Sequence, residues 1–320
     1  MNISMKKRSL LRGASVMAAA LLAASTALVP SASADPGSNL VAFGDSYFAN
    51  PTPMEYANAK VADVAAPMSS QLPPEAQAQL GPFQPAGKHG CGQDPNNVPR
   101  QIGAQRGLEV RDYSCAGSTA YMPGLKTLPM MVDFALGDRA LDGNTREVVI
   151  QYGFNDSYLF LSGQVLQKGL PQTYFNLQNE YAHQKQLWTD AMNAQIDRIR
   201  GAAPNARITI ADYPEISEPN TMNQCLVHVP GGPDYAGIPA FWIADAERNI
   251  SAWAQELAGA RGLNFAPVRG ATAGHNECTP NGQRIIAGVI DTTTPNYNLP
   301  VHMSGPGNTM VAGIISGSMG

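Results

Sequence analysis

The run Leu40-Val41-Ala42-Phe43 stops abruptly at Gly44-Asp45-Ser46, and that junction constrains the fold more than any other part of the chain. Successive apolar residues without alternation read as a strand buried on both faces. Such strands belong to parallel sheets covered by helices, and α/β proteins place their chemistry at the carboxyl edge of those sheets. A serine delivered to that edge is a candidate nucleophile.

The rest of the chain alternates in the same way. Strands are expected at Asn39–Ser46, Leu108–Cys115, Glu147–Tyr152, Ala206–Tyr213 and Leu263–Val268. The third, with Val148-Val149-Ile150, suits a central position. Helices are expected over residues 177–200, where Trp188, Met192, Ile196 and Ile199 share a stripe, and over 243–260, where Ile243, Ala246, Ile250, Trp253 and Leu257 do. Both stripes read as core packing. A shorter helix is expected over Val98–Gln105, and a last one starting near Gly307. Between the first strand and Val98 the chain is rich in Pro and Gly. A connection of that length beside Ser46 could wall or cover a site, or be a plain surface insertion.

The first residues read as a secretory signal: Lys6, Lys7, Arg8 and Arg12, then an apolar stretch from Ala14 to Val29, then Ala32-Ser33-Ala34 as a cleavage site. Residues 1–34 are therefore set apart as a signal peptide, and 35–320 read as a single catalytic domain outside the cytoplasm, secreted or at the cell envelope. The stretch is short for a membrane span. A net charge of −4 with no basic stripe argues against nucleic acid as a partner. Charged residues make up only 14%, so Asn, Gln, Ser, Thr and Gly must carry the surface. A monomer is expected, in contact with small ester substrates or with the cell envelope.

Four cysteines, Cys91, Cys115, Cys225 and Cys278, fit two disulfides in an exported chain. Three pairings are possible; Cys91–Cys115 and Cys225–Cys278 close the shortest loops. A metal site through His89/Cys91 and His275/Cys278 is the competing reading, weakened by the absence of a CxxC pair.

A serine nucleophile needs a base and donors aimed at a developing oxyanion. Gly117, in Cys115-Ala116-Gly117-Ser118, and Asn155, in Gly153-Phe154-Asn155-Asp156, each follow an expected strand and could donate from a backbone N–H and a side-chain amide. His302 is the late histidine suited to act as base; His89, His183, His228 and His275 are its rivals. Asp45 suits turn formation rather than chemistry. No G-x-S-x-G elbow, H-E-x-x-H helix or Walker loop occurs.

Taken in order, Gly44-Asp45-Ser46-Tyr47, Cys115-Ala116-Gly117-Ser118, Gly153-Phe154-Asn155-Asp156 and His302 resemble the four blocks of the SGNH (GDSL) hydrolases, with Tyr47 where the family name has Leu. Cys91 and Cys115, Asp212-Tyr213-Pro214 and Gly274-His275 are similar to its secreted actinobacterial-type branch. The resemblance implies a three-layer α/β/α, flavodoxin-like fold with about five parallel strands and a disulfide between Cys91 and Cys115. It also implies a cofactor-free serine esterase or lipase: Ser46 and His302 catalytic, and Ser46, Gly117 and Asn155 around the oxyanion. Lipid or acylated-glycan esters are the expected substrates. Acyl transfer to an envelope sugar or lipid, and a non-catalytic binding protein on the same scaffold, are the alternatives.

One departure matters. The family commonly has Asp three residues before the histidine, and here that residue is Leu299. The Leu299 carbonyl, Asn298 and Asp291 are the substitutes, with the carbonyl preferred, so a Ser-His dyad is expected.

Overall fold

The computed structural model of the chain describes residues 39–69, 87–123, 126–232 and 237–320. The signal-peptide expectation lies outside them.

In chain order, β1 (Asn39–Gly44) leads into a single helical turn, α1 (Ser46–Ala49), and then α2 (Pro53–Ser69). After a 3-10 turn at Lys88–Gly90 come α3 (Val98–Arg106), β2 (Glu109–Asp112), α4 (Leu128–Gly137) and β3 (Thr145–Gln151). Two helices follow, α5 (Phe154–Lys168) and α6 (Leu170–Ala202), then β4 (Arg207–Ala211). The short strands β5 (Asn223–Cys225), β6 (Val227–His228) and β7 (Gly237–Pro239) precede α7 (Phe241–Arg261). The chain closes with β8 (Asn264–Ala266), α8 (Val268–Ala271), β9 (Ile290–Asp291) and α9 (Gly305–Ser318).

Five strands form one parallel sheet in the order β2-β1-β3-β4-β8. Its centre is apolar as expected: Leu40, Val41, Phe43, Val148, Val149 and Ile150 are fully buried. The edge strand β2 is only partly covered. The order reverses between β1 and β3, so the crevice outside the carboxyl ends of those two strands is the topological switch point. Gly44 pairs level with Gln151. Ser46 and Asn155, which follow those ends within a few residues, therefore emerge at one place.

The expected strands and the helices at α3, α6, α7 and α9 are present with shifted ends. Helix α6 starts before residue 177, where Leu170 and Pro171 open it. The stretch after Ser46, expected to be either a wall or cover for the site or a surface insertion, carries regular structure where it is described. It holds α1 and α2, and its described part buttresses the histidine segment. Asn50 donates to the Met303 carbonyl and to Asn308 at 3.0 Å each, and Asp94 accepts from Asn298 at 2.8 Å. The disulfides are Cys91–Cys115 and Cys225–Cys278. Those bonds occupy the thiols that a metal would need, and among the described residues no cluster suited to a metal ion occurs.

Candidate active site

Ser46 is the first residue of α1. Asp45 caps that turn, its carboxylate accepting the Tyr47 N–H at 2.9 Å. The N–H of the first helical residue has no partner within the helix, so that of Ser46 is not used by the turn itself. The other Asp45 oxygen accepts the Tyr213 hydroxyl at 2.5 Å, and the Phe154 N–H reaches that same hydroxyl at 3.3 Å. One tyrosine beyond the end of β4 thus ties the ends of β1 and β3 together. Burial pushes the Asp45 carboxyl up to about 7, against the bonds from Tyr213 and Tyr47. Asp45 organises the turn, in keeping with its sequence reading.

The block at Gly117 is held to the same edge. Cys115 donates its N–H to the Gly44 carbonyl at 2.8 Å, continuing the pairing with β1 beyond β2. Ser118 Oγ lies 2.7 Å from the Cys115 carbonyl, 3.2 Å from that of Gly44 and 3.1 Å from the Tyr152 hydroxyl. Asn155 donates one amide N–H to the Ser118 carbonyl at 2.8 Å, which leaves its second N–H uncommitted. Asp156 accepts the N–H groups of Ala120 and Tyr121 at 2.6 and 2.9 Å, fixing the rest of the loop. Gly117 has φ +80°, a conformation glycine adopts without strain.

Two further residues shape the approach of α5. Gly153, at φ +126°, sits where a Cβ would stand 2.5 Å from Trp188 Nε1, and that indole N–H donates to the Tyr152 carbonyl at 2.9 Å. Only glycine fits there.

His302 arrives from the far end of the chain, on a segment pairing with residues 285–287: Val301 donates to the Ala287 carbonyl at 3.0 Å, and Ala287 to that of His302 at 2.9 Å. Its Nδ1 lies 2.7 Å from the Pro300 carbonyl. A carbonyl only accepts, so Nδ1 carries the proton and the neutral ring presents a bare Nε2. That Nε2 is buried and meets no hydrogen-bond partner among the described residues. Burial pushes the imidazole down to about 4, against the pull of the Pro300 bond. The orienting carbonyl is therefore Pro300, not the expected Leu299. The reason is local: Val301 takes φ +59°, an outlier for a β-branched residue, and the turn aims the carbonyl one residue later. Neither Asn298 nor Asp291 takes part. Asn298 donates to the Asn50 carbonyl and to Asp94, and Asp291 accepts from Gly288, Thr293 and Thr294 in its own turn.

Ser46, Asn155 and His302 line one cavity of about 420 Å³. Gly117 does not line it and joins the group through Ser118. The described part of residues 50–98 contributes no wall to it. The rival histidines lie elsewhere. His89 bonds Asp138 at 3.0 Å, His275 bonds the Gln283 carbonyl at 2.7 Å, His228 sits in β6, and His183 is exposed on α6. Sequence reasoning assigned no role to Tyr47, Ser118, Tyr213 or Pro300. Tyr213 and Ser118 stood inside quoted motifs, but nothing local shows a hydrogen bond between distant strand ends.

A serine, an imidazole with an open Nε2 and a side-chain amide around one cavity match the parts needed for acyl transfer to and from a hydroxyl. The chain matches the GDSL-like Lipase/Acylhydrolase family over residues 42–309 and belongs to it. Membership makes it a carboxylic ester hydrolase acting on small-molecule esters. Among solved structures it is similar to an extracellular lipase from Streptomyces rimosus, with a TM-score of 0.58 and 17% identity over 88% of this chain and 100% of that one. It is also similar to phospholipase A1 from Streptomyces albidoflavus NA297, with a TM-score of 0.57 and 14% identity over 88% and 98%. At such identities the likeness speaks for the fold. No curated protein matches the chain by sequence.

Proposed function

We propose that this chain is an exported serine esterase working through a Ser46–His302 dyad. His302 Nε2 takes the Ser46 Oγ proton as that oxygen attacks the ester carbonyl carbon. The oxyanion is held by the backbone N–H groups of Ser46 and Gly117 and by the free amide N–H of Asn155. As the C–O bond to the alcohol breaks, His302 returns the proton to the leaving oxygen. Water, deprotonated by the same nitrogen, then releases the acid and restores Ser46. Pro300 orients the ring without a charge, so the imidazolium is less stabilised than beside a carboxylate.

The observation that carries this reading is the state of His302: Nδ1 is committed to a carbonyl, and Nε2 is bare at a cavity that Ser46 also lines. Export is supported by the basic-apolar-small pattern of residues 1–34 and by two disulfides, which persist in oxidising compartments. A fluorophosphonate probe should label the protein covalently and p-nitrophenyl esters should be turned over, both lost in Ser46→Ala. Labelling that survives in Ser46→Ala would refute the assignment.

A further inference from the structure

Resting on that reading, we propose that the cavity takes the acyl part of esters of unbranched, medium-length fatty acids, and that Trp242 sets the longest chain that fits. Besides the reacting groups the cavity is lined by Phe154, Tyr158, Leu226, Ile238, Trp242 and Ile243. Gln224 is the one amide there besides Asn155, and its Nε2 already donates to Ser217. A sugar would have to leave its hydroxyls unpaired against such a wall, whereas methylenes gain by burial.

The length follows from α5. That helix begins beside Asn155, which holds the carbonyl oxygen; Tyr158 stands one turn further along and Ser162 one turn beyond it. The Trp242 indole N–H donates to Ser162 Oγ at 3.2 Å. At the rise of an α-helix, Ser162 lies about 10 Å along the axis from Asn155. A carbon–carbon bond of about 1.5 Å at a tetrahedral angle advances an extended chain by about 1.25 Å, so an acyl chain laid along α5 reaches the indole after about eight carbons. The ring is held there by the Ser162 bond and by an edge contact with Phe241, centroids 5.4 Å apart. The alcohol leaves past His302, which must protonate it, and Val289 on the same cavity is 48% exposed.

The test is a series of p-nitrophenyl esters from acetyl to palmitoyl, run on wild type, Trp242→Ala and Ala240→Leu, with alkyl acetates of growing alcohol length as the second arm. Ala240 lines the same cavity and is buried, so leucine there fills space. In wild type, kcat/KM should rise about fourfold per added carbon up to about octanoyl and then fall. Trp242→Ala should carry the maximum to longer acids, and Ala240→Leu to shorter ones, with the alkyl-acetate series unmoved. If both variants keep the wild-type near-UV circular dichroism and the maximum stays put, or if the shift falls in the alkyl-acetate arm, the inference is overturned. If only one folds, its own direction of shift decides. Ester turnover that persists in Ser46→Ala instead overturns the dyad reading, and the inference with it.

Discussion

The ring of Tyr47 lies flat against the imidazole of His302, centroids 4.8 Å apart and planes 23° from parallel, and its hydroxyl donates to the Val301 carbonyl at 2.7 Å. The residue following the serine thus braces the histidine from two sides. It holds the ring's face, and it anchors a backbone whose left-handed twist at Val301 costs about 1–3 kcal/mol. Tyr47→Phe should lower stability by about 1 kcal/mol, the worth of one hydrogen bond, and lower kcat more than it raises KM. Tyr47→Leu, which also removes the stacked face beneath the imidazolium, should cost about tenfold more in kcat. Thermal melts and steady-state kinetics check both; equal activity in all three proteins would show that the stacking does nothing for catalysis.

Among the described residues no carboxylate bonds His302, so none of them should behave as a third catalytic member. Asn298→Ala loses bonds to Asn50 and Asp94 and should soften the segment, with kcat changed by less than about tenfold. Asp291→Ala removes the carboxylate beside Arg284, which sits 3.8 Å away with both side chains buried, and should destabilise by about 3–5 kcal/mol. Urea titration separates the two effects. A drop of about 10³ in kcat for a folded variant at either position would reveal a triad instead.

The acid limb of kcat/KM reports the imidazole of the free enzyme. Burial lowers that group to about 4, so the neutral base survives to lower pH than a free histidine, which titrates near 6.5. Activity should hold well below pH 6.5 and fall to half only near pH of about 4. A limb at or above the free-histidine value, measured with p-nitrophenyl acetate, would contradict the burial of Nε2.

Glu277 predicts an alkaline loss of stability. Burial pushes its carboxyl from 4.5 up to about 8, with Glu247 adding to the rise and the bonds from Cys225 and the charge of Arg284 opposing it. Between those values the folded chain keeps a proton that the unfolded chain has released. Stability from this group is therefore full below 4.5 and declines as pH climbs to about 8. Glu277→Gln keeps the carbonyl that accepts the Cys225 N–H at 2.9 Å and should flatten that decline. Unfolding free energies near both ends of the window decide it; parallel pH curves for the two proteins would place the proton elsewhere.

Gly153→Ala tests the motif's own glycine. A methyl there meets Trp188 and Ile250 at 2.5–2.7 Å, and φ +126° suits no other residue. The variant should lose roughly 2–5 kcal/mol and, with α5 displaced, activity as well. An unchanged melting temperature would mean the indole moves aside freely.

What could be read from the chain alone was whatever repeats at short range. Strand-like stretches alternating with helical ones revealed all five sheet strands, most plainly β3, because Val148-Val149-Ile150 can only be buried twice over, and least plainly the polar edge strand β2. Stripes at helical spacing revealed α6 and α7. Helices α4 and α5 escaped notice: the first starts at Leu128-Pro129 with no side-chain cap, and the second hides its start inside the Gly-Phe-Asn-Asp block. In the site, Ser46, Asn155 and His302 were legible as motif residues that the sheet gathers at one edge. Pro300 was not, since its role depends on the twist at Val301. Tyr213 was not, since its bond to Asp45 spans two strands.

The Cys91–Cys115 bond closes two residues ahead of Gly117, so a covalent tie joins the hydrogen bonds that hold that loop to the sheet edge. A newly made polypeptide kept reduced would own every side chain of the cleft and hold this loop by hydrogen bonds alone. On the proposed mechanism the Gly117 donor is set less firmly until that staple forms, and a thiol reagent able to reach it should lower activity before the fold unravels.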